Sequence, residues 1–298
     1  MTTARYLVTG GAGFIGSHIA AALLARGDSV RIFDNFATGR EANLAPLAGY
    51  VERVELVRGD LRDLDAVREA VAGVEVIFHE GALASVPRSI ANPIASLESN
   101  VNGTQHVLLA AREAGVRRVV YASSSSVYGD TPVLPKHEAM PTNPMSPYAI
   151  QKLAGEQLCL VYYRLFGLET VALRYFNVFG PRQDPKSEYA AVIPRFLTAL
   201  LAGRRPVVFG DGEQTRDFTY IENVVRANLL AAEAPEAPGH AMNIGYGARV
   251  SLNETLRLAG ELLGVPAQAE YQAPRPGDVH DSLADIGLAR RLLGYSPV

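Results

Sequence analysis

The chain has 298 residues, with 28 basic and 31 acidic side chains and a formal net charge of −3. Its 48% hydrophobic and 20% charged content is that of a soluble globular protein, long enough for one large or two intimately packed domains. The charge balance leaves no electrostatic footprint for nucleic acid and no basic helix suited to a membrane surface. No apolar run approaches the ~18 residues that a membrane helix needs.

The start, MTTARYLVTGGAG, runs straight into a strand pattern and has none of the features of a secretion leader. The one cysteine, Cys159, permits no internal disulfide, and no Cys/His cluster has zinc spacing. Within the helical stretch GEQLCLVYY it reads as a buried structural thiol. The expectation is a cytoplasmic, metal-free protein.

Along the chain, RYLVTG, SVRIFD, VELVRGD, VEVIFH, RRVVYAS and ETVALRY read as short buried strands. Between them HIAAALLARG, LDAVREAVAG and VNGTQHVLLAAREAG carry apolar residues at helical spacing and end on glycine. Strand–helix alternation with near-continuous apolar strands predicts a parallel sheet covered on both faces. After Arg174, prolines and glycines break the chain into short pieces, as in a smaller, loop-rich lobe. VVRANLLAAEA and HAMNIGYG then read as a helix and strand returning to the first sheet. The predicted division is a domain over residues 1–176, rejoined by 224–247, and a second over most of 177–298.

Gly10, Gly13 and Gly16 follow the first strand at GxxGxxG spacing. Glycine suits a chain that must turn tightly, approach a pyrophosphate with its backbone and pack a helix close to a strand. The N–H groups opening the next helix would face the phosphates. Asp34 ends the second strand 18 residues past Gly16, where a carboxylate accepts from ribose hydroxyls and repels a 2′-phosphate, favouring NAD over NADP. Asp60 and Leu61 follow the third strand, placed to meet the adenine edge. The plainer reading of both aspartates is as formers of strand-end turns.

SPYAIQKLAGEQL carries a second signal. Ser146 is a candidate N-cap and Pro147 a first-turn residue, so Tyr148 and Lys152 share one helix face. A phenol with a pKa of about 10 is a poor base at neutral pH. A nearby ammonium and an oxidised nicotinamide both favour the phenolate. YASSSSVYGD places hydroxyls at the carboxyl edge of the sheet, where open α/β sheets bind ligands. His79, ending the fourth strand, reads as a structural histidine held by a backbone hydrogen bond rather than as a general acid.

Together TGGAGFIGSH, SSSSVYGD, SPYAIQK and RYFNVFGPRQDP resemble the extended short-chain dehydrogenase/reductases that act on nucleotide sugars, the UDP-hexose 4-epimerases in particular. The resemblance covers essentially the whole chain. It implies a doubly wound Rossmann domain with tightly held NAD, and a smaller α/β carboxyl-terminal domain for the UDP-sugar. It also implies a homodimer through helices around residues 98–114 and 147–166.

Carried over by position, Ser124 is the catalytic hydroxyl, Tyr148 the base and Lys152 its tuning partner. The cofactor residues would be Gly10, Gly13, Phe14, Ile15, Gly16, Asp34, Asn35, Asp60, Leu61, Gly81, Ser99 and Phe176. Asn177 would bind the sugar diphosphate, while Ala191, Val192, Val207 and Phe209 enclose the uridine. Arg216, Arg275 and Asp278 match diphosphate and ribose contacts, and guanidinium suits phosphate independently of any family.

Family dehydratases and decarboxylases place acidic residues just after the catalytic hydroxyl; Ser125 and Ser126 stand here instead, which argues against dehydration. UDP-glucuronate epimerases share a serine-rich stretch but usually carry threonine at the position of Asn177, so Asn177 favours neutral sugars. Ser282 stands where a gate beside the carbon-2 substituent is expected, and its small size leaves room for an acetamido group near Ser85. The implied reaction is 4-epimerisation through a 4-keto sugar, on N-acetylated hexoses, plain hexoses or both. A non-catalytic NAD sensor is disfavoured by retention of Tyr148 and Lys152, and a net reductase using NADPH by Asp34. Two departures stand out. Gly81 replaces a more usual alanine behind the nicotinamide, and the chain ends at LLGYSPV where relatives generally continue with a final helix.

Overall fold

The computed structural model describes residues 5–184, 192–274 and 279–298. Six strands alternate with helices through its first part: β1 (Tyr6–Thr9), α1 (Phe14–Ala25), β2 (Val30–Asp34), β3 (Val54–Arg58), α2 (Leu64–Val71) and β4 (Val76–His79). There follow α3 (Val86–Ala91), α4 (Pro93–Leu97), α5 (Gly103–Glu113), β5 (Arg118–Ser124), α6 (Pro147–Phe166) and β6 (Glu169–Tyr175). The strands coincide with the six apolar runs of the sequence. A π-helical turn over Glu98–Asn102 joins α4 to α5, so the helix expected from about residue 98 is continuous but not uniform.

The second part contributes β7 (Val178–Phe179), α7 (Val192–Leu201), β8 (Val207–Phe209), β9 (Thr215–Arg216), β10 (Thr219–Tyr220), α8 (Ile221–Glu233) and β11 (His240–Ile244). It ends with β12 (Val250–Ser251), α9 (Leu252–Leu263), β13 (Glu270–Gln272) and α10 (Gly287–Leu293). β11 leaves this part and pairs in parallel with β6, completing a seven-stranded sheet of order β11-β6-β5-β4-β1-β2-β3.

Both faces of the sheet are covered, which is why its central strands could be apolar throughout. Ile19 and Leu23 of α1 and Val224 and Ala227 of α8 pack one face. Val67 of α2, Val107 and Leu108 of α5, and Cys159 and Tyr162 of α6 pack the other. Burial pushes the Cys159 thiol far up, in keeping with an inert structural cysteine. The smaller lobe has no large sheet: β7 pairs with β10, β8 with β13 and β9 with β12, two strands at a time. Its own core is small, formed by Phe196, Leu200, Val208, Leu252 and Leu256 between α7 and α9. Among the described residues, no helix is long and apolar enough to cross a membrane.

Candidate active site

Strand order reverses between β1 and β4, and a cleft of about 1100 Å³ opens at the carboxyl ends of the strands there. Gly10, Gly13, Phe14, Ile15, Gly16, Asp34, Asn35, Asp60, Leu61, Gly81 and Ser99 all line it. The glycine loop is there for want of space. Gly10 sits at φ +66°, and a Cβ on Gly16 would stand 2.4 Å from the Gly10 carbonyl oxygen. Gly13 caps α1 without any side-chain hydrogen bond, leaving the first-turn N–H groups of the helix for a pyrophosphate. A cradle in which a Cβ has no room, ending in uncapped amides, fits a dinucleotide.

Asp34 does two jobs in this frame. Its carboxylate accepts from Ala12 N at 2.9 Å and Phe36 N at 2.7 Å, fixing the glycine loop, and it still faces the cleft. The residue thus forms the strand-end turn and stands in the cleft wall at once. Asp60 is held by the Arg62 guanidinium, which with Asn35 keeps its carboxyl far below the usual range. Ser99 reaches the cleft from the π-helical turn, a distortion frequent at functional sites. Phe176 departs from expectation: its side chain is fully buried against Tyr128 and does not line the cleft. Tyr175, one residue earlier, faces the cleft instead.

Ser146 caps α6 as the sequence predicts, accepting from Ala149 N at 3.1 Å, and so Tyr148 and Lys152 project from the first turns of that helix. Ser124 ends β5 and accepts from the Ser126 amide at 3.2 Å and hydroxyl at 2.9 Å. Lys152 is buried, with its ammonium donating to the Ala122 carbonyl at 2.7 Å and lying 5.0 Å from the centre of the Tyr121 ring. It is thus pinned to the strand rather than bonded to Tyr148.

Burial, not the lysine, dominates the phenol: the Tyr148 pKa is pushed up to about 12, with hydrogen bonding to Ser124 pulling the other way and Glu80 adding to the rise. In the protein alone, desolvation thus outweighs any lowering by the Lys152 charge; the expectation of a phenolate rests on the oxidised nicotinamide as well. His79 is structural as expected, but its partners are hydroxyls, not backbone. Thr9 Oγ1 lies 2.7 Å from Nδ1 and Thr104 Oγ1 3.0 Å from Nε2. Burial, helped by the Lys152 charge, drives its pKa down to about 3, so the ring is neutral at working pH.

A second cavity of about 220 Å³ continues into the smaller lobe, lined by Val192, Val207 and Phe209. Asn177, Val178 and Arg216 line both spaces and form the junction. Asn177 holds a left-handed backbone at φ +25°, a strain of about 1–3 kcal/mol that marks functional positions in a non-glycine residue. Its amide donates to Asp217 O at 3.0 Å and Ser282 Oγ at 3.3 Å. Arg216 donates to the Thr215 and His280 carbonyls, each at 2.9 Å. Ser85 caps α3, accepting from Arg88 N, and lines the cleft. Ala191, Arg275 and Asp278 lie outside the described residues.

Sequence reasoning passed over several charged groups of the cleft wall, Glu80 and Lys136 among them. Glu80 adjoins Gly81, and Lys136 donates to Gly129 O at 2.8 Å. The only signal for either was a charged residue beside a recognised motif, as in HEGAL.

Residues 6–245 match the model of the NAD dependent epimerase/dehydratase family. A UDP-glucose 4-epimerase of Mycolicibacterium smegmatis is 43% identical over 295 residues, spanning 98% of this chain and 93% of that one. A putative UDP-glucose 4-epimerase of Methanocaldococcus jannaschii is 41% identical over 293 residues, 98% of this chain and 92% of its own. Among solved structures, the UDP-N-acetylglucosamine 4-epimerase of Methanobrevibacter ruminantium, in complex with UDP-N-acetylmuramic acid, superposes with a TM-score of 0.92 at 39% identity. That match covers all of this chain and 94% of that one. The chain belongs to the NAD dependent epimerase/dehydratase family.

Proposed function

We propose that this protein is a UDP-hexose 4-epimerase that retains NAD and accepts both N-acetylated and plain hexoses. The observation that carries the reading is the meeting of Ser124 and Tyr148 in the wall of the glycine-loop cleft, with Lys152 buried one helical turn on from Tyr148; the cleft shares Asn177 and Arg216 with a second cavity in the smaller lobe. Bound NAD supplies a reversible hydride acceptor, so that carbon 4 can pass through a ketone with no net redox change. The chain's own part is to move a proton and hold the ligand. Tyr148 takes the 4-hydroxyl proton, Ser124 hydrogen-bonds the same oxygen, and the Lys152 ammonium favours the phenolate. Arg216 and Asn177 hold the diphosphate at the junction, and Val192, Val207 and Phe209 enclose the base. Anchoring by the nucleotide leaves the hexose free to present either face.

Ser85 and Ser282 line the cleft, and side chains this small would leave room for an acetamido group. Asn177 and the serines at 125 and 126 favour neutral sugars over a UDP-uronate. Proton NMR of the purified protein, with UDP-glucose and UDP-N-acetylglucosamine in separate tubes and no cofactor added, tests the reading. A galacto-configured anomeric signal in each tube is expected; silence in both, with NAD confirmed by acid extraction, overturns it.

The same reading includes cytoplasmic residence and a homodimer. Exposed apolar side chains on α4 (Ile94, Leu97) and α6 (Ile150, Val161, Leu165) support pairing through a helical face. Among the described residues α5 exposes no large apolar side chain. Light scattering should give a dimer, converted to monomer by Leu165→Glu; a wild-type monomer refutes the pairing.

A further inference from the structure

Among the ionisable groups of the cleft wall to which the proton transfer above gives no task, Glu80 lies beside Gly81. Glu80 directly follows β4, whose last pair in the sheet is His79 with Tyr121 of β5, one residue before the Ala122 carbonyl that holds the Lys152 ammonium. One carboxyl oxygen accepts from the Tyr175 hydroxyl at 2.8 Å, and that hydroxyl in turn accepts from Asn228 Nδ2 at 2.8 Å. The carboxyl is therefore held by a relay from β6 and α8, while its residue opens on the cleft. An unneeded acid in this position is costly, since a carboxylate out of water is destabilised unless it is paired.

We propose that Glu80 is a positioning residue for charge: held by Tyr175 in the cleft wall beside Gly81, its carboxylate stabilises the oxidised cofactor and the Lys152 ammonium. This rests on the epimerase reading and adds to it a group that sets the resting redox state.

Among the described residues, the titratable groups that face Glu80 are Tyr175 on β6 and Tyr148 and Lys152 on α6. Desolvation raises the Glu80 pKa, and the Tyr175 hydrogen bond and the Lys152 charge oppose that rise. Burial lowers the Lys152 pKa and the Glu80 charge opposes that fall, so each charge favours the other's ionised form against a burial that moves both toward neutrality. A negative charge beside a cationic ring favours its oxidised form, and beside a phenol it disfavours the phenolate. An epimerase whose cofactor never leaves benefits from the first effect, because a cofactor stranded in its reduced form is an inactive enzyme.

Glu80→Gln is the test, because glutamine keeps an acceptor for Tyr175 and removes only the charge. Purified wild-type and variant holoenzymes are equilibrated with the same UDP-sugar across pH, and the reduced cofactor is read at its near-ultraviolet band beside the pH profile of kcat. The variant should hold a reduced-to-oxidised ratio about tenfold higher at alkaline pH, equivalent to about one pKa unit of lost charge stabilisation. Its acid limb should move to lower pH, and the two proteins should converge at low pH, where Glu80 is itself protonated.

Superimposed ratios and profiles over the whole range would overturn the inference and leave Glu80 a packing group. Tyr175→Phe gives an independent check should the glutamine variant misfold. It removes the bond that lowers the Glu80 pKa, so the pH at which its reduced fraction begins to fall should move upward, and an unmoved onset counts against the proposal. Failure of the wild type itself to hold NAD or epimerise would be seen before any variant is made, and would remove the epimerase reading and this inference together.

Discussion

The cofactor half of the cleft and the substrate half are made of different material. The first stands on seven parallel strands whose central members are fully buried, and it presents backbone: a glycine cradle, uncapped helix amides and strand ends. The second stands on pairs of strands two or three residues long, and it presents side chains, Asn177, Arg216, Phe209 and Ser282 among them. A backbone site on a rigid sheet recognises a ligand common to a whole family. Side chains on short ribbons can change one at a time, and under the proposed function they would carry the choice of sugar. The difference predicts severe, general damage on one side and selective, graded damage on the other.

The sharpest break lies on the sheet edge. Tyr148→Phe removes the proton acceptor while keeping the ring, and steady-state kinetics should show kcat down by about 10³–10⁴-fold with NAD still bound. Retention of a tenth of wild-type activity would mean that another group takes the proton. The next largest effect tests the rigidity of that side. Glu156 is fully buried, pairs with Arg174 at 2.6 Å and accepts from Ser123 Oγ at 2.8 Å. Glu156→Ala strands a buried guanidinium, and urea denaturation should report a loss of about 3–5 kcal/mol.

His79 adds a pH dependence to the same half. Its folded pKa of about 3 lies below the ordinary value of 6.5, so between those values the unfolded chain binds the extra proton. Stability is then lost as pH falls through that window, at up to about 1.4 kcal/mol per unit, or about 2 kcal/mol by pH 5. His79→Gln should flatten that part of the slope in urea titrations at pH 7 and pH 5; an unchanged slope would assign it to other groups.

The smallest effect belongs to the substrate half. Ser282→Tyr should cut kcat/KM for the N-acetylated sugar at least about tenfold, a ΔΔG near 1.4 kcal/mol, with little change for UDP-glucose and no loss of bound NAD. Equal losses on both sugars would place Ser282 outside the carbon-2 space.

The same contrast explains how far the sequence could be read. Six strands, the cap at Ser146 and the glycine cradle were legible because burial on both faces and lack of room for a Cβ leave marks at fixed spacing. Phe176 is buried while Tyr175 lines the cleft, and the pattern RYFN does not say which of two neighbouring aromatics at a strand end faces the cleft. The partners of His79 were missed because Thr9 and Thr104 lie 70 and 25 residues away from it in the chain. Lys152 was assigned to Tyr148 from their shared helix face, but its carbonyl partner belongs to a strand that helix periodicity cannot see. The smaller lobe, with its brief strands, offered no period long enough to count.

The account's central claim is that carbon 4 of the sugar is oxidised and reduced inside one cleft, with nothing exchanged. UDP-N-acetylglucosamine carrying deuterium at carbon 4, incubated in ordinary water with the purified protein and no added cofactor, tests it directly by mass spectrometry of the epimer. Full retention of deuterium in the galacto product is the predicted result. Product that has exchanged its label for solvent hydrogen, at any substantial fraction, would contradict it.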